Sequence, residues 1–444
     1  MNYDIIKLLN LETYNIDLDK STLIKENNTI IYYVVLKNNI ATCPKCGCTD
    51  CCIHDYRIKS IKHSLLIDKP CILKYKSRRF KCKMCGSIFY ENNPFCQKDE
   101  KVSLQTDLLV LEKLRSHTAT FISVAKLFSI TSQSVINIFD KYVSCKRLPL
   151  SEVICMDEIY TKNMKPDKYI CVLLNFFNGN IIDIYPTRHY LSLLQNLYRI
   201  PLNERKNVKY IVMDMWDSYK RVANDLFPNA LVAVDSFHVL QHLNIAVDMV
   251  RLRTMKKFDK GHSKLENADM YYYMLKKFHF FFKTPYAKLE DKLWNVNKIR
   301  TKWDKLTILG YLKAIDGELT KAYNLAEDYR EFNYYCDINN FEEDFEDLIY
   351  KFSNSGIPEF YEFTKMIIRW KYEIKNSFVF VKGKRLSNGK IESCNSRLKI
   401  ILKSANGYKN FDRFRNRCMF AVNKDTPIRN YHKWVIMVDK KPVS

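Results

Sequence analysis

Residues 210–235 read YIVMDMWDSYKRVANDLFPNALVAVD, and in them two short apolar runs each end in an aspartate. Both runs have the length and composition of buried strands. We interpret the segment between them as a helix that ends before Pro228. A strand, a helix and a second strand in this order predict an α/β fold, with Asp214 and Asp235 at the ends of two strands.

The same pattern begins upstream of this stretch. Apolar runs at 153–156, 169–174 and 181–185 predict three further strands, and Asn178-Gly179 between the last two predicts a tight hairpin turn. Asp157 directly follows the first of these runs. Three antiparallel strands followed by helix, strand, helix and strand predict a mixed sheet.

Three aspartates therefore end predicted strands, at positions 157, 214 and 235. Carboxylates at the ends of adjacent strands converge, and their repulsion is tolerable only if a cation lies between them. Oxygen ligands select Mg²⁺ or Mn²⁺, and two such ions roughly 3.5–4 Å apart stabilise the attacking and leaving oxygens of a phosphodiester displacement. A single aspartate at a strand end is more often a turn residue or a helix cap, so the prediction depends on the set.

A further acid is expected from a helix near the C-terminal end. Residues 388–399 read NGKIESCNSRLK, and the spacing predicts a helix with Ile391 and Leu398 in its buried stripe. Glu392 shares the opposite face with residues at helical spacing: Asn395, Ser396 and Lys399. One acid on an otherwise basic helix indicates a metal ligand rather than surface decoration.

Two CxxC pairs, each followed by glycine, are separated by 35 residues in the N-terminal part of the chain. Because each CxxC turn directs two thiolates at one cation, two such turns predict a closed tetrahedral zinc site. Its predicted ligands are Cys43, Cys46, Cys82 and Cys85. A single CxxC could be a redox pair or a chance occurrence. The second, matching CxxC makes these two alternatives less favoured. Four further residues are weaker candidates for substitute ligands or a second site: Cys48, Cys51, Cys52 and His54.

Basic residues crowd the end of this cysteine-rich segment, interleaved with aromatic ones. Beside a zinc ribbon this composition favours contact with DNA phosphates, and we expect such contacts at Arg78, Arg79 and Lys81. A solvated strand face is the alternative interpretation.

Residues 123–138 fit two short helices joined near Ser129, the pattern of a helix-turn-helix. Thr131 would cap the second helix. Three residues of that helix are then free to reach base edges: Ser132, Gln133 and Asn137. A plain helical linker has the same periodicity and remains the alternative.

The composition agrees with a polyanionic partner. Of the 444 residues, 72 are Lys or Arg and 49 are Asp or Glu, which gives a net charge of +23. An A+T-rich coding genome would by itself favour lysine. The hydrophobic fraction of 47% excludes wholesale disorder. No secretory signal is recognisable, and the longest apolar runs fall short of the ~20 residues of a membrane helix, so we expect an intracellular protein with reduced cysteines.

Taken in order, the motifs between residues 40 and 420 resemble those of the IS-L-three (ISL-type) family of bacterial insertion-sequence transposases. The matching motifs are CPxCG at 43–47, RRFxCxxCG at 78–86, DxxxxY at 214–219, FPNA at 227–230, VDxFHV at 234–239, ExxNxxLK at 392–399, GYxNF at 407–411 and FRxR at 414–417. The ordered set is far more specific than any one of its members.

The resemblance implies a DDE transposase with an RNase H-like core that a helical insertion interrupts. Carried over by position, Asp157, Asp214 and Glu392 are the catalytic acids and the ligands of Mg²⁺ or Mn²⁺. Two such ions are expected, in addition to one structural zinc. Asp235 competes for the second position, but the second acid of such a core follows the fourth strand, which is the strand of Asp214. The adjacent pair Asp157-Glu158 departs from the family pattern.

Supporting residues follow from the same resemblance. Asp235, His238 and Asn395 are expected beside the acids or against DNA, with packing as the alternative. Arg397 and Lys399 are expected to hold phosphates, although a solvated helix face accounts for them nearly as well. Ser236 stands where a basic residue is commoner in the family.

We therefore predict an α/β, multi-domain protein. Its predicted parts are a zinc-ribbon DNA-binding domain (1–98), a helix-turn-helix domain (99–149), the first part of the RNase H-like core (150–245), an all-helical insertion (246–375), the second part of the core with the Glu392 helix (376–422) and a C-terminal tail (423–444). The insertion would cover DNA or pair protomers.

The predicted function is transposition of a bacterial insertion sequence. The protein would bind terminal inverted repeats and target DNA as double strands, as a homodimer or larger assembly, and would act in the cytoplasm on the nucleoid without a membrane partner. Three alternatives remain at this point: a non-catalytic DNA-binding regulator with the same N-terminal modules, a structure-selective nuclease on the same core, and a zinc-ribbon scaffold that binds RNA.

Overall fold

The computed structural model describes residues 2–38, 40–63, 69–162, 164, 166–259 and 265–429. The chain divides into two compact units. The first contains the described parts of 1–148, 160–168 and 394–444, and the second contains 149–159 and the described parts of 169–393. The predicted zinc-ribbon and helix-turn-helix domains thus share a unit with the C-terminal helices. Of the predicted tail, residues 430–444 lie outside the described part.

The N-terminal region of the first unit is a five-stranded sheet. Its elements are α1 (Asn2–Leu8), β1 (Thr22–Glu26), β2 (Thr29–Val34), β3 (Cys51–Lys62), β4 (Cys71–Cys82) and β5 (Ile88–Tyr90). The strand order is β1-β2-β4-β3, and β5 pairs with β4. The inner strand β4 buries alternate apolar side chains, Leu73 and Tyr75 among them, against Tyr32 and Phe95. The antiparallel register of β3 on β4 sets Cys51 opposite Cys82, so the two cysteine-rich ends meet.

Three helices follow: α2 (Leu104–Lys113), α3 (Phe121–Leu127) and α4 (Ser132–Tyr142). Helix α3 begins with a capping box between Thr120 and Ser123, and the Thr131 side chain caps α4 by accepting a hydrogen bond from the backbone N–H of Ser134. Helices α3 and α4 are bent 111° at their junction. No single helix in the described residues is long and apolar enough to cross a membrane, although this bent pair meets that criterion jointly.

The second unit is built on a mixed sheet. Its elements are β6 (Val153–Tyr160), β7 (Tyr169–Asn175), β8 (Ile181–Tyr185), α5 (Tyr190–Tyr198), α6 (Leu202–Lys206), β9 (Tyr210–Met213), α7 (Asp217–Leu226) and β10 (Leu231–Val234). The strand order is β10-β9-β6-β7-β8, with β9 parallel to both β6 and β10 and with β7 antiparallel to β8. The predicted mixed α/β sheet is therefore confirmed. Strand β6 is longer than predicted, so Asp157 lies within it.

A large helical segment follows the sheet. Its elements are α8 (Ser236–Lys256), α9 (Ala268–Lys277), β11 (Trp294–Val296), β12 (Thr301–Trp303), α10 (Lys305–Ile315), α11 (Gly317–Tyr335), α12 (Phe341–Ser353), α13 (Pro358–Arg369), α14 (Lys371–Asn376), β13 (Phe380–Val381) and β14 (Lys384–Arg385). The prediction of an all-helical insertion was wrong, because β11 and β12 form an antiparallel pair. The predicted boundary at 245/246 falls inside α8. The apolar side chains of the sheet and of this segment form one continuous core.

Two helices complete the described chain: α15 (Gly389–Ser404) and α16 (Phe411–Val422). The arginines of the FRxR segment in α16 bind backbone oxygens of the first unit. Arg415 donates to Cys145 O at 2.8 Å, and the fully buried Arg417 donates to Ser116 O at 2.6 Å and to Ala119 O at 2.9 Å. These contacts join α16 to the loops that flank α3 and α4.

Replacement of Arg417 tests this joint. We expect Arg417→Ala to lower the free energy of unfolding of the first unit by about 2–4 kcal/mol, because it opens a cavity and leaves two carbonyls without their donor. Denaturant unfolding followed by circular dichroism measures the change. The control Arg397→Ala removes an exposed arginine of α15 and should change the free energy by less than about 0.5 kcal/mol. Equal stability of the two variants would contradict the structural role of Arg417.

Candidate functional site

The four predicted zinc ligands lie together at one end of the first sheet. Sγ of Cys43 is 3.6 Å from Sγ of Cys85, and Sγ of Cys46 is 3.6 Å from Sγ of Cys82. All four sulfur atoms lie within 4.8 Å of one another. Four thiolates at the usual Zn–S bond length of about 2.3 Å form a tetrahedron with S···S edges of about 3.8 Å. The arrangement fits a zinc ion without rearrangement.

The glycines that follow the two CxxC pairs shape the site. Gly47 has φ +75° and Gly86 has φ +70°, a left-handed conformation that favours glycine. Their N–H groups donate to the carbonyls of Cys43 and Cys82 at 2.9 and 3.0 Å. The hydroxyl and backbone of Ser87 bind Cys85 and lower the pKa of its thiol to about 6, which favours the metal-binding thiolate. Cys48, Cys51, Cys52 and His54 form no such group in the described residues.

The predicted DNA contacts of the ribbon differ in their exposure. Arg78 is only 4% exposed, and its guanidinium donates to Glu91 Oε2 at 2.8 Å and to Lys37 O at 2.9 Å. This burial contradicts the phosphate contact predicted for Arg78, because its donors already bind protein oxygens. Arg79 is half-buried beside Asp55 at 3.3 Å, and Lys81 is exposed.

The second predicted DNA-binding segment has an open face. The angle of 111° between α3 and α4 lies in the range of about 90–120° typical of helix-turn-helix pairs. Ile130 is buried in the turn, and Ser129 adopts φ +52° beside it. Ser132, Gln133 and Asn137 are exposed on α4, where Gln133 donates a 2.7 Å hydrogen bond to Asn137.

The three strand-end aspartates occupy equivalent positions in the second unit. Met156, Met213 and Val234 are partners in the parallel register of β6, β9 and β10. Asp157, Asp214 and Asp235 each come next in their chain segments, so the three carboxylates emerge in one row at the same edge of the sheet. Sequence reasoning predicted this convergence.

One histidine and one asparagine join two of the three aspartates, Asp214 and Asp235. His238, in the first turn of α8, places Nε2 2.9 Å from Asp214 Oδ2 and Nδ1 3.4 Å from Asp235 Oδ2. Asn388 is fully buried, and it donates from Nδ2 to Asp214 Oδ1 at 3.1 Å and from its backbone N–H to Asp235 Oδ1 at 3.0 Å. Asn388 is the functional residue that the sequence did not reveal, because Asn-Gly before a helix has the appearance of an ordinary turn.

The electrostatics of the row are strongly perturbed. Burial and the charge of Asp214 raise the pKa of Asp157 to about 7. Burial alone lowers the pKa of His238, but its contacts with Asp214 and Asp235 outweigh burial and raise that pKa to about 10. At neutral pH the imidazole is therefore protonated and supplies one positive charge among the carboxylates. Perturbed groups of this kind in a cluster are typical of functional sites.

Glu392 lies in the first turn of α15 and is half-buried. The start of this helix is fixed to the row by Asn388, and Cys155 Sγ lies 4.0 Å from Ser387 O. Within the described residues, however, the four cysteines are the one set of three or more potential ligand groups whose atoms all lie within 4.8 Å. The gathering of Asp157, Asp214 and Glu392 around a cation stays a prediction.

The remaining predicted residues belong to the C-terminal part of α15. Arg397 and Lys399 are exposed, whereas Asn395 is only 4% exposed. Asn395 therefore does not share the solvent-facing side of the helix as expected. In the described helix the buried side comprises Ile391, Cys394, Asn395, Leu398 and Ile401.

Comparison with known proteins gives this arrangement a family. Residues 154–418, more than half of the chain, match the family model of ISL3-type DDE proteins, which is described as a transposase. The chain belongs to the ISL3 transposase family. Residues 41–85 also match the zinc finger of the transposases IS204, IS1001, IS1096 and IS1165. This match includes both CxxC pairs and Gly47, and it ends one residue before Gly86.

One curated relative of the ISL3 transposase family is the transposase for insertion sequence element IS1001 of Bordetella parapertussis. It is 20% identical over 234 residues, which is 50% of this chain and 55% of the relative. The chain thus spans about half the length of that relative. The family match and the relative confirm the resemblance that the ordered motifs indicated, and the zinc-finger match agrees with the four-cysteine geometry.

The zinc centre gives a direct prediction. We expect one zinc ion per chain in the purified protein, and we expect Cys46→Ser to lose it because three thiolates and a hydroxyl bind zinc far more weakly. Elemental analysis measures the stoichiometry, and Co²⁺ replacement with its thiolate-to-metal absorption reports the ligand set. Cys52→Ser, a nearby exposed cysteine, is the matched control and should retain the metal. Zinc loss from both variants would place the site elsewhere.

The His238 ion pairs predict a pH dependence. The raised pKa means that their stabilisation is fully present below about pH 6.5, the unfolded value, and is lost as the pH rises towards 10. Without added Mg²⁺ or Mn²⁺, His238→Gln should lower the free energy of unfolding by about 1.5–3 kcal/mol at pH 6. This difference from the wild type should shrink steadily up to pH 10. His279→Gln, at an exposed histidine, should show no such trend, and a pH-independent loss in His238→Gln would refute the ion pairs.

Proposed function

We propose that this chain is the DNA transposase of an insertion sequence, with metal-dependent cleavage and strand transfer at the Asp157, Asp214 and Glu392 carboxylates. The observation that carries the proposal is the row of aspartates in parallel register, to which Asn388 fixes the helix of Glu392. The sheet order, with the first strand of the sheet in the centre and the fourth beside it, supports an RNase H-like core. Family membership supports the same chemistry.

Burial supports Asp214 rather than Asp235 as the second catalytic acid. Asp235 is 3% exposed, and its oxygens face the Asn388 N–H and His238. The Asp214 side chain is 21% exposed and so is open to a ligand. We therefore assign Asp235 and His238 to positioning Asp214 and assign Asp214 to the cation.

The donor set fits a hard divalent cation. Carboxylate oxygens are the ligands that Mg²⁺ and Mn²⁺ prefer. One further buried oxygen, Oδ1 of Asn388, whose amide nitrogen binds Asp214, has no hydrogen-bond partner among the described residues. Asp157, Asp214 and Glu392 would hold the metal, with Mg²⁺ as the physiological ion that we propose. A cation held there supplies Lewis-acid activation of the attacking and leaving oxygens.

The protein groups set up the reaction around that centre. The protonated His238 and the amide of Asn388 each bind one oxygen of Asp214 and so fix the orientation of its carboxylate. Burial and the charge of Asp214 raise the pKa of Asp157 in the metal-free site, so this carboxyl would lose its proton when a cation binds. First water and then the liberated 3′-hydroxyl of the DNA would attack a phosphodiester, and the chain itself forms no covalent bond to DNA.

Recognition of the element ends is proposed for the first unit. The exposed Lys81 and the half-buried Arg79 remain as phosphate contacts of the zinc ribbon, and Ser132, Gln133 and Asn137 on α4 remain as base contacts in the major groove. Since two element ends must be joined in transposition, we expect a homodimer or larger assembly on double-stranded DNA.

Nicking of a terminal-repeat duplex tests the catalytic assignment. With Mg²⁺, the wild type should cut at the 3′ end of the repeat and join that end to target DNA. Asp157→Asn, Asp214→Asn and Glu392→Gln should each slow cutting by at least about 10²-fold, while DNA affinity stays within a factor of about two. Product lengths on a sequencing gel measure the cutting.

Asp217→Asn is the matched control for this test. Asp217 lies three residues after Asp214, is exposed, and pairs with Arg369 at 2.6 Å on the surface, so its loss should not affect cutting. Wild-type cutting by all three acid variants would refute the assignment. Binding without any cutting in Mn²⁺ would indicate a regulator, and cutting of branched DNA without strand transfer would indicate a structure-selective nuclease.

A further inference from the structure

A basic cleft lies within the first unit, and none of its lining residues belongs to the zinc site or to the α3–α4 pair. One wall is the loop between β6 and β7, and the other is the C-terminal half of α15 with the turn that follows it. Two adjoining cavities of about 440 and 590 Å³ make up the cleft and share Lys162, Asn406 and Tyr408. Neither the zinc site nor the predicted base-reading helix accounts for this concave feature.

The charge of the cleft has one sign. Five lysines line it: Lys162, Lys168, Lys399, Lys403 and Lys409. All five are exposed, and no aspartate or glutamate is among the lining residues. In the part of the chain that the structure describes, none of these lysines forms an ion pair, although many other surface lysines do, such as Lys257 with Asp316 at 2.9 Å. Five unpaired ammonium groups around one cavity attract a polyanion.

Both walls are held in place by packing and hydrogen bonds. Thr161 and Met164 of the first wall are buried, and the N–H of Thr161 donates to Lys168 O at 2.6 Å, which closes the base of the loop. In the second wall, Tyr408 is buried after a turn in which Gly407 has φ +95°. The described parts of both walls are therefore anchored by buried residues.

We infer that this cleft binds the phosphodiester backbone of DNA independently of base sequence. Lysine ammonium groups contact phosphates as point charges and read no base edges, and the cleft offers only Asn406 as a side-chain amide. The inference rests on the proposed function for its choice of DNA as the polyanion. It adds a phosphate-binding site that the motifs did not indicate, because Lys162, Lys168 and Lys403 lie outside every motif and Lys409 occupies the variable position of GYxNF.

The two walls continue chain segments that carry proposed catalytic acids. Tyr160 follows Asp157 by three residues in β6, and Lys399 follows Glu392 by seven residues in α15. Since DNA held by the acids continues beyond the cut, we assign to the cleft the DNA strand that flanks the cut.

The salt dependence of DNA binding tests the inference on the full-length protein. The cleft variant carries Lys162→Gln, Lys168→Gln, Lys403→Gln and Lys409→Gln, and Lys399 is left unchanged because it was already assigned to phosphates. Fluorescence anisotropy with a labelled 30-base-pair duplex of scrambled sequence gives the affinity from 50 to 300 mM salt. Each lost duplex contact should reduce the slope of log affinity against log salt by about 0.9. We expect a total reduction of about 2–4.

Matched variants separate the cleft from overall charge and from folding. Lys256→Gln, Lys288→Gln and Lys302→Gln together remove three exposed lysines of the second unit, and their slope should equal that of the wild type. Replacement of the four cleft lysines by arginine keeps the charges and should restore the slope. A cleft variant with the wild-type slope, or a control with the same reduction, would overturn the inference.

Two further arms identify the source of the phosphates. If the flanking strand is single-stranded, the cleft variant should lose more affinity for a 30-nucleotide single strand than for the duplex, and its salt slope should fall by about 0.7 per lost contact. If the flanking strand is paired, the cleft variant should lose more affinity for the duplex. Inorganic tripolyphosphate is then added as a competitor. If it abolishes the difference in salt slope between the wild type and the cleft variant without releasing DNA, the cleft is a site for small anions and the assignment is overturned. Because the measurement is of binding alone, loss of the slope in a protein that never nicks DNA would reject the proposed function and retain the cleft.

Discussion

The parallel register of β6, β9 and β10 forces three carboxylates into one row, and the catalytic unit depends on how their repulsion is balanced. Neighbouring strands are about 4.8 Å apart, and two like charges about 5 Å apart repel by about 3 kcal/mol at an effective dielectric constant of 20. The protein balances this with the imidazolium of His238, with the amide groups of Asn388 and with a proton that Asp157 holds up to a pKa of about 7.

The same contacts explain how so large an insertion is tolerated. The chain leaves the sheet at Asp235 and returns to it at Asn388, and these two residues are joined by a 3.0 Å hydrogen bond. The base of the insertion is therefore closed at the acid row itself. Closure of a long loop costs little more than closure of a short one, and the shared apolar core with the sheet repays the ordering of the helices. A change in the insertion that disturbs its base would act directly on Asp214.

The parts of the fold and of the site that the sequence predicted are those encoded by short, local sequence patterns. The strands of the sheet are short apolar runs, and the CxxC-Gly pairs specify their own turns. What failed depended on distant partners. The basic segment of the ribbon predicts Arg78 as a DNA contact, but in the structure its guanidinium is buried and binds Glu91 and the carbonyl of Lys37. Asn388 can bind both Asp214 and Asp235 only because the strands that precede these aspartates, β9 and β10, are adjacent in the sheet. The β11–β12 pair was missed because strands of three residues carry no periodicity.

The arginines and lysines behind the net charge of +23 differ in where they lie and in what they bind. Among the described residues, the buried cationic side chains are all arginines: Arg78, Arg205, Arg251, Arg330 and Arg417. A guanidinium can bind several carbonyl or carboxylate oxygens at once, which makes its burial tolerable, whereas an ammonium group is a compact and strongly hydrated charge. The lysines are left on the surface. The exposed positive charges that can contact phosphates are therefore mostly lysines. Lysine ammonium groups bind the DNA backbone but do not discriminate between bases. In the proposed DNA complex, sequence specificity would come from the few polar side chains of α4, while the lysines would supply affinity and its dependence on salt.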